Sequence, residues 1–173
     1  SNNGPLDMRM DIKTLDLTAQ KIINEFDQHH LSDIFYYYGE EKNSRQIARK
    51  IIEFRKKKEI STTFELVELI KKVNSYKKKH PATRVFQALR IFINDELNEL
   101  DITLKKSLLF LKKNGKIITV AFHSLEDKVI KNFFSRNKGL LKILTKKPVT
   151  PNEKEVKINP RSRSARMRVA EIL

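Results

Sequence analysis

The sequence predicts a mixed α/β chain: an all-helical first half, then the closing strands of a doubly wound sheet whose opening strands are missing. Three observations predict it. Apolar residues recur at i, i+3, i+4 and i+7 through residues 17–73 and again from Val85 onward. A nearly continuous apolar run, Lys116–Phe122, has the pattern of a strand buried on both faces. After it the order is helix, strand, strand, with no repeat.

The elements follow in chain order. Residues 1–13 show no helical period, and Gly4-Pro5 marks a turn, so they form a loop presenting Asp7, Arg9 and Asp11. Ala19, Ile22, Ile23 and Phe26 make the first apolar face. Leu31, Ile34, Phe35 and Tyr38 make the second, stopped by Gly39. Ile47, Ile51 and Phe54 give the stripe of a third helix within 41–57. Thr62 with Glu65 is a capping-box pattern opening a fourth through Val73. Asn74–Lys79 is a lysine-rich connector.

Pro81 suits the first turn of a longer stretch whose core face is Val85, Leu89, Phe92 and Ile93, carried on by Leu97 to Leu111 after a break near Asp101. Asn114-Gly115 is a turn. Beyond the buried strand, Ser124 caps a helix through Phe134. Leu140–Leu144 and Ser164–Leu173 are strands, the second placing Ala165, Met167, Val169 and Glu171 on one face. Residues 146–160 form an extended, Pro-containing loop.

Composition narrows the function. Among 173 residues, 36 Lys and Arg stand against 21 Asp and Glu, for a net charge of +15. A surplus of that size calls for a polyanion, nucleic acid before an anionic membrane surface. The absence of cysteine excludes disulfides, thiolate metal sites and cysteine nucleophiles. The four glycines are isolated, so the Gly-rich turn that lets backbone approach a nucleotide cofactor is missing, and a self-sufficient Rossmann enzyme, kinase or NTPase is not expected. No apolar stretch reaches the ~20 residues needed to span a bilayer, and no signal peptide opens the chain, so a cytoplasmic protein is expected. Ser1 stands first and the first Met is Met8, which points to a processed or incomplete chain.

Three segments carry possible chemistry. Phe122-His-Ser-Leu-Glu-Asp127 lies where the buried strand gives way to a helix, the place where open α/β sheets bind ligands. His123, Ser124, Glu126 and Asp127 there offer an acid–base group, a hydroxyl and two carboxylates; plain helix capping is the alternative. Asn159–Arg168 holds four arginines and no acid, a pattern suited to phosphate. His80-Pro-Ala-Thr-Arg84 is either a helix entry or a phosphate contact. His29-His30 is a solvated helix start, and the runs Arg55–Lys58 and Lys77–Lys79 are solubilising helix ends. Without cysteine, HxxxH or HExxH spacing, no metal site is expected.

Taken together, Gly-Pro-Leu-Asp-Met-Arg-Met-Asp (4–11), Tyr-Gly-Glu-Glu (38–41), His-Pro-Ala-Thr-Arg-Val-Phe-Gln-Ala-Leu-Arg-Ile (80–91), Phe-His-Ser-Leu-Glu-Asp (122–127) and Asn-Pro-Arg-Ser-Arg-Ser-Ala (159–165) resemble one family along essentially the whole chain. It is the bacterial small-subunit ribosomal RNA cytosine-N4 methyltransferases, the RsmH or MraW family. The resemblance implies an incomplete class I (Rossmann-like) methyltransferase domain carrying an all-α inserted domain. Residues 1–12 would be the loop after a missing fourth strand, 13–79 the inserted substrate-recognition helices, and 80–173 the closing part of the methyltransferase domain.

The implied activity is S-adenosyl-L-methionine-dependent N4-methylation of one cytosine in the decoding region of 16S rRNA. The family's Gly-rich cofactor half is absent, so no cofactor-binding residue is assigned and the chain alone is expected to be inactive. Expected partners are small-subunit rRNA or the small ribosomal subunit, a separate chain supplying the first half, and no membrane. Asp7 or Asp11, beside Arg9, and the segment His123, Ser124, Glu126, Asp127 are expected to line the base pocket. Arg9, His80, Arg84, Arg90, Arg161, Arg163 and Arg166 are expected to contact RNA. The alternatives are a non-catalytic RNA-binding protein or remnant acting in small-subunit assembly, and a DNA-binding helical protein, for which no recognition helix stands out.

Overall fold

The computed structural model describes residues 3–74 and 80–173; the Lys77–Lys79 run lies outside the described residues. The chain forms two compact units, Ser1–Glu96 and Leu97–Leu173.

The first unit is helical: α1 (Ala19–Glu25), α2 (Gln28–Tyr37), α3 (Ser44–Arg55), α4 (Thr63–Lys71) and α5 (Thr83–Ile93). Their predicted stripes meet in one core that includes Ile22, Ile23, Leu31, Phe35, Ile51 and Leu89. Each such side chain contributes about 1.5–3 kcal/mol on burial. The capping box forms as predicted: Thr62 Oγ1 accepts from Glu65 N, and Glu65 accepts from Thr62 N at 3.1 Å. Lys58, then the backbone N–H groups of Ser61 and Thr62, hold the Glu65 carboxyl down at about 2.

Gly39 ends α2 where a Cβ would stand 2.5 Å from the Arg84 carbonyl oxygen, so the close approach to α5 demands glycine. Buried Glu41 secures the next turn, accepting from Asn43 N at 2.9 Å and from the Asn74 amide at 3.1 Å. Arg55 departs from its expected solubilising role. Its guanidinium donates to the carbonyls of Ile23 and Phe26 at 2.8 and 2.6 Å, satisfying the end of α1. His29 and His30 are exposed at the start of α2, whose cap is Asp27.

The first compact unit runs to Glu96, because α5 packs on α2 and gives Val85, Ala88 and Leu89 to the helical core. The break in the long helical stretch shifts. It lies at Asn94-Asp95, where Asp95 takes φ 48°, and not near Asp101; α6 (Glu96–Ser107) runs through that residue uninterrupted.

The second unit has β1 (Lys116–Ala121), α7 (Ser124–Arg136), β2 (Leu141–Ile143), α8 (Glu153–Ile158), a 3₁₀ turn (Pro160–Ser164) and β3 (Arg166–Ile172). Strand order is β1-β3-β2, with β3 antiparallel to both neighbours, so β1 and β2 run parallel and α7 is the crossover between them. Ile118 pairs with Val169 and Ile143 with Ala170. Asn114, at φ 66°, makes the turn into β1.

Two expectations change here. β1 is buried on one face only: Ile117 and Ala121 join the core, whereas Ile118 and Val120 are 63% and 52% exposed. The loop at 146–160 contains α8, nucleated by Asn152, whose side chain accepts from Glu155 N at 2.9 Å. No helix among the described residues is long and apolar enough to cross a membrane.

Candidate functional site

In the first unit the loop before α1 is tied at both flanks. Leu6 is buried; its N–H donates to the Ser61 carbonyl at 3.1 Å and its carbonyl accepts from Gln20 N at 2.7 Å. Met8 takes φ 68°, and its carbonyl accepts from the Asn94 amide at 3.0 Å; Met10 N donates to Asn94 Oδ1 at 2.7 Å. This double clasp anchors the backbone on both sides of Arg9.

The two side chains meet fork to fork. Arg9 Nε donates to Asp7 Oδ1 at 2.7 Å and Nη2 to Oδ2 at 2.8 Å, while Nη1 donates to the Leu15 carbonyl at 2.6 Å. Arg9 holds the Asp7 carboxyl below the ordinary carboxylate range, against the opposing effect of burial. Asp7 is therefore an ionised acceptor at neutral pH. Asp11 is used locally: it accepts from Thr14 Oγ1 at 2.7 Å and Lys13 N at 2.9 Å, and Thr14 chiefly lowers its pKa.

The expected RNA contacts of this unit divide. Arg84 is exposed on α5 and, among the described residues, has no ion-pair partner. Arg90 instead gives both ends of its fork to Glu96, at 2.7 and 3.0 Å. His80 Nδ1 accepts from Ala82 N at 3.3 Å, the bond of a helix entry.

In the second unit the β1–α7 junction is built around His123, which takes the capping role expected of Ser124. His123 has extended backbone (φ −142°, ψ 165°), and its Nδ1 accepts from Glu126 N at 3.3 Å. Ser124 is instead the first helical residue. Glu126 closes the box by accepting from Phe122 N at 2.8 Å and His123 N at 3.3 Å.

Because Nδ1 accepts, neutral His123 carries its proton on Nε2. That atom is buried, has no well-directed hydrogen-bond acceptor among the described residues, and lies 3.3 Å from Glu126 Oε1. Burial raises the Glu126 pKa, yet His123 and the Phe122 N–H outweigh it and the net shift is downward. The junction thus sets a buried imidazole nitrogen against a carboxylate at the carboxyl end of a strand.

Asp127 points elsewhere. It is buried and grips Arg168 through Nε–Oδ1 at 2.6 Å and Nη2–Oδ2 at 3.1 Å, with Arg166 Nη1 3.4 Å from Oδ2. Arg161 and Arg163 flank buried Ser162 on the 3₁₀ turn, both exposed and without an ion-pair partner among the described residues. Asn159 Oδ1 accepts from Arg161 N at 3.2 Å and holds that turn. Sequence reading missed Asn94, which carries no local signal for a clasp on a loop 84 residues earlier.

The chain matches the MraW methylase family along residues 1–173. It is similar to proteins named ribosomal RNA small subunit methyltransferase H. The one from Trichodesmium erythraeum is 51% identical over 99% of this chain and 60% of its own length. The one from Sulfurihydrogenibium azorense is 49% identical over 96% of this chain and 58% of its own length. The one from Thermotoga neapolitana is 48% identical over 98% and 57%. The chain thus spans somewhat under two thirds of the length of these relatives.

Proposed function

Because the chain belongs to the MraW methylase family, we propose that it is the substrate-facing part of an S-adenosyl-L-methionine-dependent enzyme that methylates the N4 amine of a cytosine in the decoding region of small-subunit ribosomal RNA. The observation that carries this reading is 48–51% identity to ribosomal RNA small subunit methyltransferases along nearly the whole chain. The +15 charge and the unpaired arginines are what an RNA substrate needs.

The β1–α7 turn does not fit the cofactor. The β1–α7 turn is Phe122-His123-Ser124, without glycine, and the N–H groups of Phe122, His123 and Glu126 are already taken within the capping box. S-adenosyl-L-methionine is therefore assigned to none of these residues, and the chain alone is proposed to be inactive.

A cytosine N4 amine is a poor nucleophile because its lone pair is delocalised into the ring. An oriented acceptor on one N–H raises its electron density. Asp7 is proposed for that task, ionised and aimed by Arg9, while Asp11 shapes the loop. His123 and Glu126 are proposed as the acid–base pair of the second unit, with Ser124 beside them and Asp127 positioning β3 against α7. Arg161, Arg163 and Arg84 are proposed to hold flanking phosphates, with His80 and Arg166 beside them; Arg90 serves once released by Glu96. Unstacking of the target base is easiest in a single-stranded segment.

The missing fit to the cofactor also favours a second reading, a non-catalytic RNA-binding chain of small-subunit assembly. One experiment tests the catalytic assignment. Asp7→Ala and His123→Ala, each placed in an enzyme of the relatives' full length, are expected to lower turnover by roughly 10²–10⁴ with RNA affinity kept. Unchanged turnover in both overturns the catalytic assignment.

A further inference from the structure

Between α7 and the β2 side of the sheet lies a cavity of about 340 Å³, wholly within the second unit and lined by none of the residues assigned to the methylation site. Lys131 and Ser135 enter it from one face of α7, at i and i+4, and Lys138 enters from the turn that follows the helix. Thr145 and Lys146 enter from the segment that follows β2, and Phe134 and Ile143 supply an apolar wall. Arg168 closes the remaining side, its charge already matched by Asp127.

The charge balance is uneven. Lys131, Lys138 and Lys146 are exposed and have no acidic partner among the described residues, so three lysines without a matching carboxylate line one concave surface. Lysines on long stems suit a phosphate as movable point charges. Ser135 adds a hydroxyl donor. The apolar wall suits the flat side of a sugar or base, which a bare inorganic anion would not use. The volume lies in the range of small-ligand pockets and matches a single nucleotide.

We propose that this cavity is a second RNA-anchoring site that takes one nucleotide of a single strand, with its phosphate on Lys131, Lys138 and Lys146 and its sugar or base against Phe134 and Ile143. It rests on the ribosomal RNA reading and extends it to a face outside the proposed chemistry. Phosphate is the recognised group, whether it belongs to an RNA strand or to a free nucleotide.

The test measures binding of a fluorescent single-stranded RNA oligonucleotide to the 173-residue chain across a salt series, with cytidine monophosphate and inorganic phosphate titrated separately. In the triple variant Lys131→Ala, Lys138→Ala, Lys146→Ala, RNA affinity at low salt should fall at least tenfold and the salt slope by about 2. A control lacking Lys21, Lys56 and Lys72, equally discharged, should lose less than half as much in each. Ser135→Trp fills the cavity with its lysines intact and should cost severalfold in affinity.

Equal losses in the cavity and control triples, or none, overturn the cavity site while RNA binding by the unaltered chain stands. If the unaltered chain binds no RNA but binds cytidine monophosphate through these lysines, the site stands and the RNA reading falls. Binding of neither overturns both.

Discussion

Asp127 and Arg168 form a buried bidentate ion pair, at 2.6 and 3.1 Å, that fastens α7 to the central strand of the sheet. Removing one partner strands the other charge in the core. Asp127→Ala is expected to destabilise the second unit by about 3–5 kcal/mol, read as lost hydrogen-exchange protection in β1 and β3. Protection equal to that of the unaltered chain would contradict the role.

The same pair sets an acid response. Arg168 first, with Arg166, depresses the Asp127 pKa below its ordinary 3.8 against the opposing effect of burial. A depressed carboxyl stabilises fully above its unfolded value, and this contribution is lost as pH falls through its folded value. Protection of β3 should therefore fade below about pH 4 in the native chain. In Asp127→Asn this acid limb should flatten; identical limbs would remove Asp127 as its source.

At the capping box, Thr62→Ala should cost about 1 kcal/mol and fray α4 from its first turn. Glu65, held at about 2 by Lys58 and the Ser61 and Thr62 N–H groups, gives its share above the ordinary 4.5 and loses it as pH falls toward about 2. Helix content by circular dichroism at pH 7 and at about pH 2 checks both statements.

Gly39→Ala brings a methyl to 2.5 Å from the Arg84 carbonyl and 2.7 Å from that of Phe35. Both are backbone atoms, so α5 must back away and the end of α2 must distort, at a cost of about 1–3 kcal/mol. Denaturant unfolding of the helical unit should show the loss, and an unchanged midpoint would refute the close packing.

Arg161→Ala with Arg163→Ala should weaken single-stranded RNA binding and reduce its salt slope by about 1.4, two phosphate contacts at about 0.7 each. Arg90→Ala should change the slope less, because Arg90 already faces Glu96. A larger effect from Arg90 would reverse that order.

Legibility followed distance along the chain. Thr62 with Glu65, and Asn114 with Gly115, are read directly because cap and turn chemistry lie within a few residues. Alternation puts Met167 and Val169 on one face of β3, but it cannot say that the opposite face, with Arg168, is the buried one. That depends on a carboxylate 41 residues away. The helix break moved to Asn94-Asp95 for a similar reason, since Asn94 is tied to Met8 and Met10. The exposure of Ile118 and Val120 is equally invisible to a pattern that registers apolar runs and not what covers them. At the candidate site the residue types were legible. Their commitments, Arg90 to Glu96 and Asp127 to Arg168, were not.

The most direct measurement places these 173 residues in the Thermotoga neapolitana relative in place of its matching segment, in cells lacking their own enzyme. N4-methylcytidine is then quantified in nucleosides from small-subunit RNA. The account predicts that the modification is restored, and that Asp7→Ala or His123→Ala in the same chimera abolishes most of it. A folded, RNA-binding chimera that leaves the cytosine unmodified would contradict it.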